Sequence, residues 1–293
     1  METKPDLQTI SLDAFDPYEM AGKAEKMMVA KVQKPFSKVF LSSTYGGFFI
    51  GLAFIFFTLV TTGSSTMPYG MAKLIGGLCF SMGLMLVVVC GADLFTSTTL
   101  TFIAKESNKI TWLQLFRNWS FVYFGNFVGA LFLVFLIYIS GHPWDADGQI
   151  ALNYMNIVDH KLHHTFIEAI GLGIMCNVMV SLGVWLCFSC RTSADKVLVL
   201  LLPIAMFVAC GFEHCVANMY EIPMGILIKS TTPSGFWVSH GINITKYADL
   251  TWSNFFLHNL IPVTIGNIIG GALLIGWGNW LLFLRRHTEV KEH

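Results

Sequence analysis

Apolar residues gather along this chain into six long runs, at about 39–61, 71–104, 112–140, 164–190, 197–227 and 252–284, separated by shorter polar stretches. A helix needs about 20 apolar residues to cross the hydrocarbon of a bilayer, and each run exceeds that length. The pattern predicts an all-α membrane protein with six transmembrane helices. Two runs carry charge where none is expected. Gly91-Ala92-Asp93-Leu94-Phe95-Thr96-Ser97 interrupts the second, and Gly211-Phe212-Glu213-His214 interrupts the fifth. Ionisable groups at bilayer depth are costly enough to be functional candidates by default. Both runs are longer than a straight span requires, so the second and fifth helices are expected to be broken within the membrane. Their freed backbone groups must then face protein or a watery cavity, because lipid offers no partners.

Composition places the chain in the same class. Hydrophobic residues make up 54% and charged residues 12%, against about 25% charged in an average soluble domain. A net charge of +0 gives no basic surface for nucleic acid. The positive charges are unevenly spread: fourteen of the 18 lysines and arginines fall in the N-terminal arm, the second and fourth loops and the tail. By the positive-inside rule both termini are cytoplasmic. The expected division is a cytoplasmic arm at 1–36, a six-span domain at 37–285 and a cytoplasmic tail at 286–293. Within the arm, Glu19 to Lys34 reads as an amphipathic helix, a surface anchor or a gating or docking element for a cytoplasmic partner. All seven cysteines lie in or at the ends of apolar runs, which implies no disulfide framework. Cys187 and Cys190 lack the further ligands of a tetrahedral metal site.

An internal repeat is visible in the third and sixth runs. Asn118, Gly125, Asn126 and Gly129 match Asn259, Gly266, Asn267 and Gly270, every pair being 141 residues apart. Each half then holds three spans, an odd number, so the halves are expected to be inverted. In such folds the substrate site sits near the midplane where interrupted helices meet. The Gly-x-x-x-Gly pairs suit close helix packing. Asn126 and Asn267 need partners in lipid: they hold the freed backbone groups of the breaks or line the pathway.

His214 is the leading candidate at the breaks, because an imidazole changes charge near neutral pH. Asp93 reads as a cap for its own loop. Glu213 reads as an organiser of its break, with Asn177 and Asn267 as expected amide partners. Phe80, Leu84, Leu94, Phe95 and Phe207 are core or lipid-facing by default, but around a pathway they form apolar constrictions. In the fourth segment's outer approach, His160, His164 and Glu168 have spacing compatible with a metal-binding face. A basic funnel for anions, with Lys161 as fixed charge, is the preferred reading.

These residues resemble the formate/nitrite transporter family, within it the bacterial formate channels. The resemblance covers nearly the whole chain. It is carried by Met67-Pro68-Tyr69-Gly70-Met71-Ala72-Lys73, Cys90 through Thr98, Tyr123-Phe124-Gly125-Asn126, His163 through Glu168, Gly211-Phe212-Glu213-His214 and Ile261 through Asn267. It implies an aquaporin-like protomer in a homopentamer of the bacterial cytoplasmic membrane, each protomer with its own pore. It further implies that Thr96 bonds the pore histidine, His214, that Phe80, Leu84, Leu94 and Phe207 flank it at constrictions, and that Lys161 occupies the outer basic position.

The expected function is a channel for formate and related small monovalent carboxylates, with His214 protonating the substrate or offsetting its charge. Nitrite or hydrosulfide is the alternative within the same architecture. An enzyme or haem protein is disfavoured, because His258 lies in an outer turn and leaves His214 without a second midplane ligand. No cofactor is implied.

Overall fold

The structure, a computed structural model, describes residues 13–285, and no strand occurs among them. The start of the predicted arm and the predicted tail at 286–293 lie outside the described residues. Among the described residues, five helices are long and apolar enough to cross a membrane.

Helix α1 (Pro17–Gln33) starts with a capping box. The Asp16 carboxylate accepts from the amides of Tyr18 and Glu19 at 2.8 and 2.9 Å, and Glu19 reaches back to the Asp16 amide at 3.1 Å. Its apolar residues recur at helical spacing, and Met20, Ala21, Ala24, Met28 and Val32 are buried in the same cluster as the long helices. The predicted amphipathic helix is therefore present, and its apolar face packs on protein.

The remaining helices follow in order: α2 (Phe36–Thr61), α3 (Tyr69–Cys90), α4 (Phe95–Thr98), α5 (Phe102–Glu106), α6 (Trp112–Ile139), α7 (Gln149–Leu162), α8 (Phe166–Ser189), α9 (Ser193–Ala209) and α10 (Cys215–Thr231). Then come the short α11 (Ser234–Ser239) and α12 (residues 252–283), the latter containing two π-helical segments, Phe255–Leu260 and Ile269–Trp277. Helix α3 stops at Gly91, whose φ of 77° only glycine adopts readily, and helical structure resumes at Phe95. Likewise α9 stops before Gly211, at φ 72°, and α10 resumes at Cys215. The fifth apolar run is thus divided into two helices of 17 residues, each short of a full crossing.

Glycine brings α2 onto α6 and α8 onto α12. A Cβ on Gly129 would land on the Thr44 carbonyl, and one on Gly270 on the Ile174 carbonyl. Backbones that touch in this way fix the long helices around the two interruptions.

Candidate functional site

The two interruptions are tied down by the matched asparagines. At the first, the Asn126 side-chain oxygen accepts from the Phe95 amide at 2.8 Å, while its nitrogen donates to the carbonyls of Ser43 and Asp93 at 2.6 and 2.9 Å. At the second, the Asn267 oxygen accepts from the Cys215 amide at 3.0 Å, while its nitrogen donates to the carbonyls of Gly173 and Glu213 at 2.8 and 3.0 Å. Each amide thus satisfies the first N–H of a restarted helix and the chain just before it. Orphan backbone groups at a helix end demand this kind of partner. Asn177 adds a further tie, donating to the Thr96 carbonyl at 3.2 Å, to Thr99 Oγ1 at 3.2 Å and to the Asn267 carbonyl at 2.5 Å.

Thr96 and His214 meet between the restarted helices. Thr96 Oγ1 lies 3.0 Å from His214 Nε2, and both side chains are buried. On the other side of the ring, His214 Nδ1 accepts from the Ala217 amide at 3.1 Å, which makes His214 the N-cap of α10. The Phe207 ring stacks on the imidazole at 5.9 Å between centroids, and Phe80 meets Phe207 edge-on at 5.7 Å. Leu84 and Leu94 are buried as well. Phe95, expected among the constriction residues, packs instead on Tyr123 and Trp119 of α6, with centroids at 4.8 and 6.3 Å. Successive residues at a helix start point in different directions, so Thr96 and Phe95 cannot share one face.

Glu213 departs from its expected partners. Its carboxylate takes Lys161 at 2.8 Å, Asn218 at 2.7 Å and Asn259 at 3.2 Å. The Asn177 amide is spent elsewhere, and Asn267 meets only the Glu213 backbone carbonyl. Lys161 is accordingly no free charge of an outer loop. Its side chain is 13% exposed, and a second buried carboxylate, Glu221, lies 3.8 Å away. Glu168 does not join a metal-binding face with His160 and His164: it closes the capping box of α8 with Thr165.

Asp93 also has partners that lie far from it in sequence. Lys34, the C-cap of α1, and Lys31 within it pair with its carboxylate at 2.7 and 3.3 Å. Beside this pair lies a cavity of about 310 Å³, lined by Lys23, Lys31, Lys34, Asp93 and Lys196 with apolar neighbours from α3 and α8. Lys31, Lys34, Asn218 and Glu221 were not singled out in the sequence. The signal for the lysines was their position on the charged face of an amphipathic helix. For Asn218 and Glu221 it was their polarity within the second half of an apolar run.

The family model of formate/nitrite transporters matches residues 18–281. The chain is 53% identical to the formate channel FocA of Escherichia coli strain K12, over 94% of this chain and 97% of that protein. It is 46% identical to the formate channel FocA of Haemophilus influenzae, over 92% and 95% respectively. Among solved structures, a pentameric formate channel with formate bound superposes with a TM-score of 0.81 at 53% identity, covering 85% of this chain and 98% of that one. An FNT family ion channel, at 23% identity and a TM-score of 0.74, shares the fold. With a family match over almost its full length, the chain belongs to the formate/nitrite transporters.

Proposed function

We propose that this protein is a membrane channel for formate and related small monocarboxylates, and that the substrate passes the Thr96–His214 pair. The observation that carries this reading is the buried 3.0 Å contact between Thr96 and His214, placed where two interrupted helices restart and faced by Phe207. The naming of its relatives as formate channels supports the choice of substrate.

In this reading the chain crosses the membrane six times, with both termini cytoplasmic. Helices α3 to α5 form a broken second span, and α9 with α10 a broken fifth. The matched roles of Asn126 and Asn267 support two inverted three-helix repeats in an aquaporin-like arrangement. The structural relative described as pentameric supports a homopentamer in the bacterial cytoplasmic membrane. The arm at 1–36, the channel domain at 37–285 and the tail at 286–293 remain the working division.

The chemistry follows from the cost of charge. A bare carboxylate moved through an apolar ring loses several kcal/mol of solvation even after relaxation. Protonating an acid whose pKa lies roughly three units below ambient pH costs about 4 kcal/mol. His214 lowers this barrier by lending the anion a hydrogen-bond donor or a proton. Phe80, Leu84, Leu94 and Phe207 keep bulk water from bridging the site. Phe95 supports the first restarted helix from behind. Glu213 fixes its break and holds Lys161 near the pathway as the cationic half of a buried ion pair. Asn177 and Asn267 hold the backbone around the pair.

A flux panel in proteoliposomes tests this assignment, comparing formate, acetate, nitrite, hydrosulfide and chloride at two pH values. Formate is expected to pass readily and chloride poorly. Preference for nitrite or hydrosulfide over formate would overturn the substrate choice.

A further inference from the structure

We propose that His214 is held by the Ala217 amide as a fixed Nε2–H donor, so that it meets a carboxylate through that proton and keeps it. The inference rests on the channel reading above and selects between the two ways in which the ring can help an anion pass.

A backbone N–H can only donate. The Ala217 amide points at His214 Nδ1 over 3.1 Å, so Nδ1 is the acceptor. A neutral imidazole has one acceptor and one donor nitrogen, which leaves the hydrogen on Nε2. The 3.0 Å contact to Thr96 is then Nε2–H donating to Oγ1. Consequently the Thr96 hydroxyl hydrogen is not used in that bond.

Three nearby hydroxyls behave differently. Ser97, Thr99 and Thr101 each donate to the carbonyl three residues earlier, at 3.0, 2.6 and 2.7 Å. A carboxylate entering between Thr96 and His214 therefore meets two donors, Nε2–H and the Thr96 O–H. The ring exchanges its bond to Thr96 for one to the substrate oxygen, and takes it back when the anion leaves. No N–H bond breaks.

Proton transfer would require more. Giving up the Nε2 hydrogen from a neutral ring leaves an imidazolate, so the ring must first gain a proton at Nδ1. That hydrogen would face the Ala217 N–H directly, two donors head to head at the positive end of α10. The charged groups acting on the ring are Lys161 of α7 and Glu213 beside it, and these neutralise each other as an ion pair at 2.8 Å. The amides of Asn177 and Asn267 are neutral. Nothing facing the ring supplies the anion that an imidazolium needs until substrate arrives.

Solid-state NMR of histidine-labelled protein in bilayers tests the tautomer, with His214→Asn used to assign the signal. The expected spectrum has a bare Nδ1 and a protonated Nε2 from about pH 8 to about pH 5, a range that spans the ordinary histidine transition. Added formate is expected to shift Nε2 and leave Nδ1 unmoved. An Nδ1–H tautomer, or an imidazolium that builds up as formate is added, overturns the proposal. Ala217→Pro removes the amide hydrogen in the first turn of α10, where proline is tolerated, and should release the ring into both tautomers. A variant that folds and keeps the pure Nε2–H form also overturns it. If Ala217→Pro does not fold, the unaltered protein's spectrum decides alone. A protein that conducts formate with the wrong tautomer defeats this inference only, whereas one that conducts no formate defeats the reading beneath it.

Discussion

Asn126 does for Phe95 what Asn267 does for Cys215: in each case the side-chain oxygen takes the first amide of a restarted helix, at 2.8 and 3.0 Å. Their nitrogens then hold the carbonyls of Asp93 and Glu213, the acidic residues of the two interruptions, at 2.9 and 3.0 Å. One residue type thus solves the same problem at both interruptions. Replacing either asparagine by alanine leaves the first N–H of a restarted helix and the carbonyl of Asp93 or Glu213 without partners in a buried site. A destabilisation of roughly 2–4 kcal/mol is expected, given the cost of unpaired buried polar groups. Thermal unfolding of the purified protein in detergent checks it. A similar loss from both sites is predicted, larger than that from Ser43→Ala, which keeps the Ser43 carbonyl.

Lys161 gives a sharper electrostatic prediction. Lys161→Met strands two buried carboxylates, Glu213 and Glu221, whose side chains are 1% and 0% exposed. Removing one partner of a buried ion pair typically costs roughly 3–5 kcal/mol. Poor assembly and low flux are expected, with Lys161→Arg much closer to the original. Adding Glu213→Gln to Lys161→Met should restore assembly in part while formate flux stays low. Oligomer yield and flux, measured on the same preparations, separate these effects.

Gly125 and Gly266 test the helix contacts. A Cβ on Gly125 would strike the Ser43 hydroxyl, and one on Gly266 the Ile170 carbonyl. A rotatable side chain yields more easily than a backbone. Gly266→Ala is therefore expected to lower thermal stability more than Gly125→Ala, a ranking that a melting curve reads directly.

His163 links two loops to pH. Its Nδ1 sits 2.6 Å from the Asp159 carbonyl, and its Nε2 is 3.3 Å from the Asp249 carboxylate. The bond to the Asp159 carbonyl, helped by the Asp159 and Asp249 carboxylates, raises the histidine above its ordinary value. A raised pKa means that the stabilisation is fully present below the unfolded histidine value, about 6.5, and fades as pH climbs through the folded one. Hydrogen-exchange protection around Asp249, corrected for the intrinsic pH dependence of amide exchange, should be higher at about pH 5.5 than at about pH 8. His163→Gln should erase that difference.

The breaks were legible because charge and glycine stand out in apolar runs. Asp93 and Glu213 cannot face lipid, and Gly91 and Gly211 supply the turns. Asn126 and Asn267 were legible as a pair through their common spacing, and the freed backbone was the partner that chemistry suggested. Pairing between distant segments was not legible. Glu213 had two amides within plausible reach, yet it took Asn218 in the first turn of the α10 helix that follows it, Asn259 of α12 and Lys161 of α7. Lys31 and Lys34 counted only as topology signals until α1 folded back to Asp93. Periodicity reports which face of a helix is apolar, but the neighbour that face meets depends on the whole packing. The direction of Phe95 was hidden for the same reason.

The most direct test is formate flux into proteoliposomes as a function of external pH, measured for the unaltered protein and for His214→Asn. If His214 carries the anion past the apolar ring, the variant's flux should fall by at least an order of magnitude or lose its original pH profile. A His214→Asn channel with unchanged flux and an unchanged profile would contradict the account.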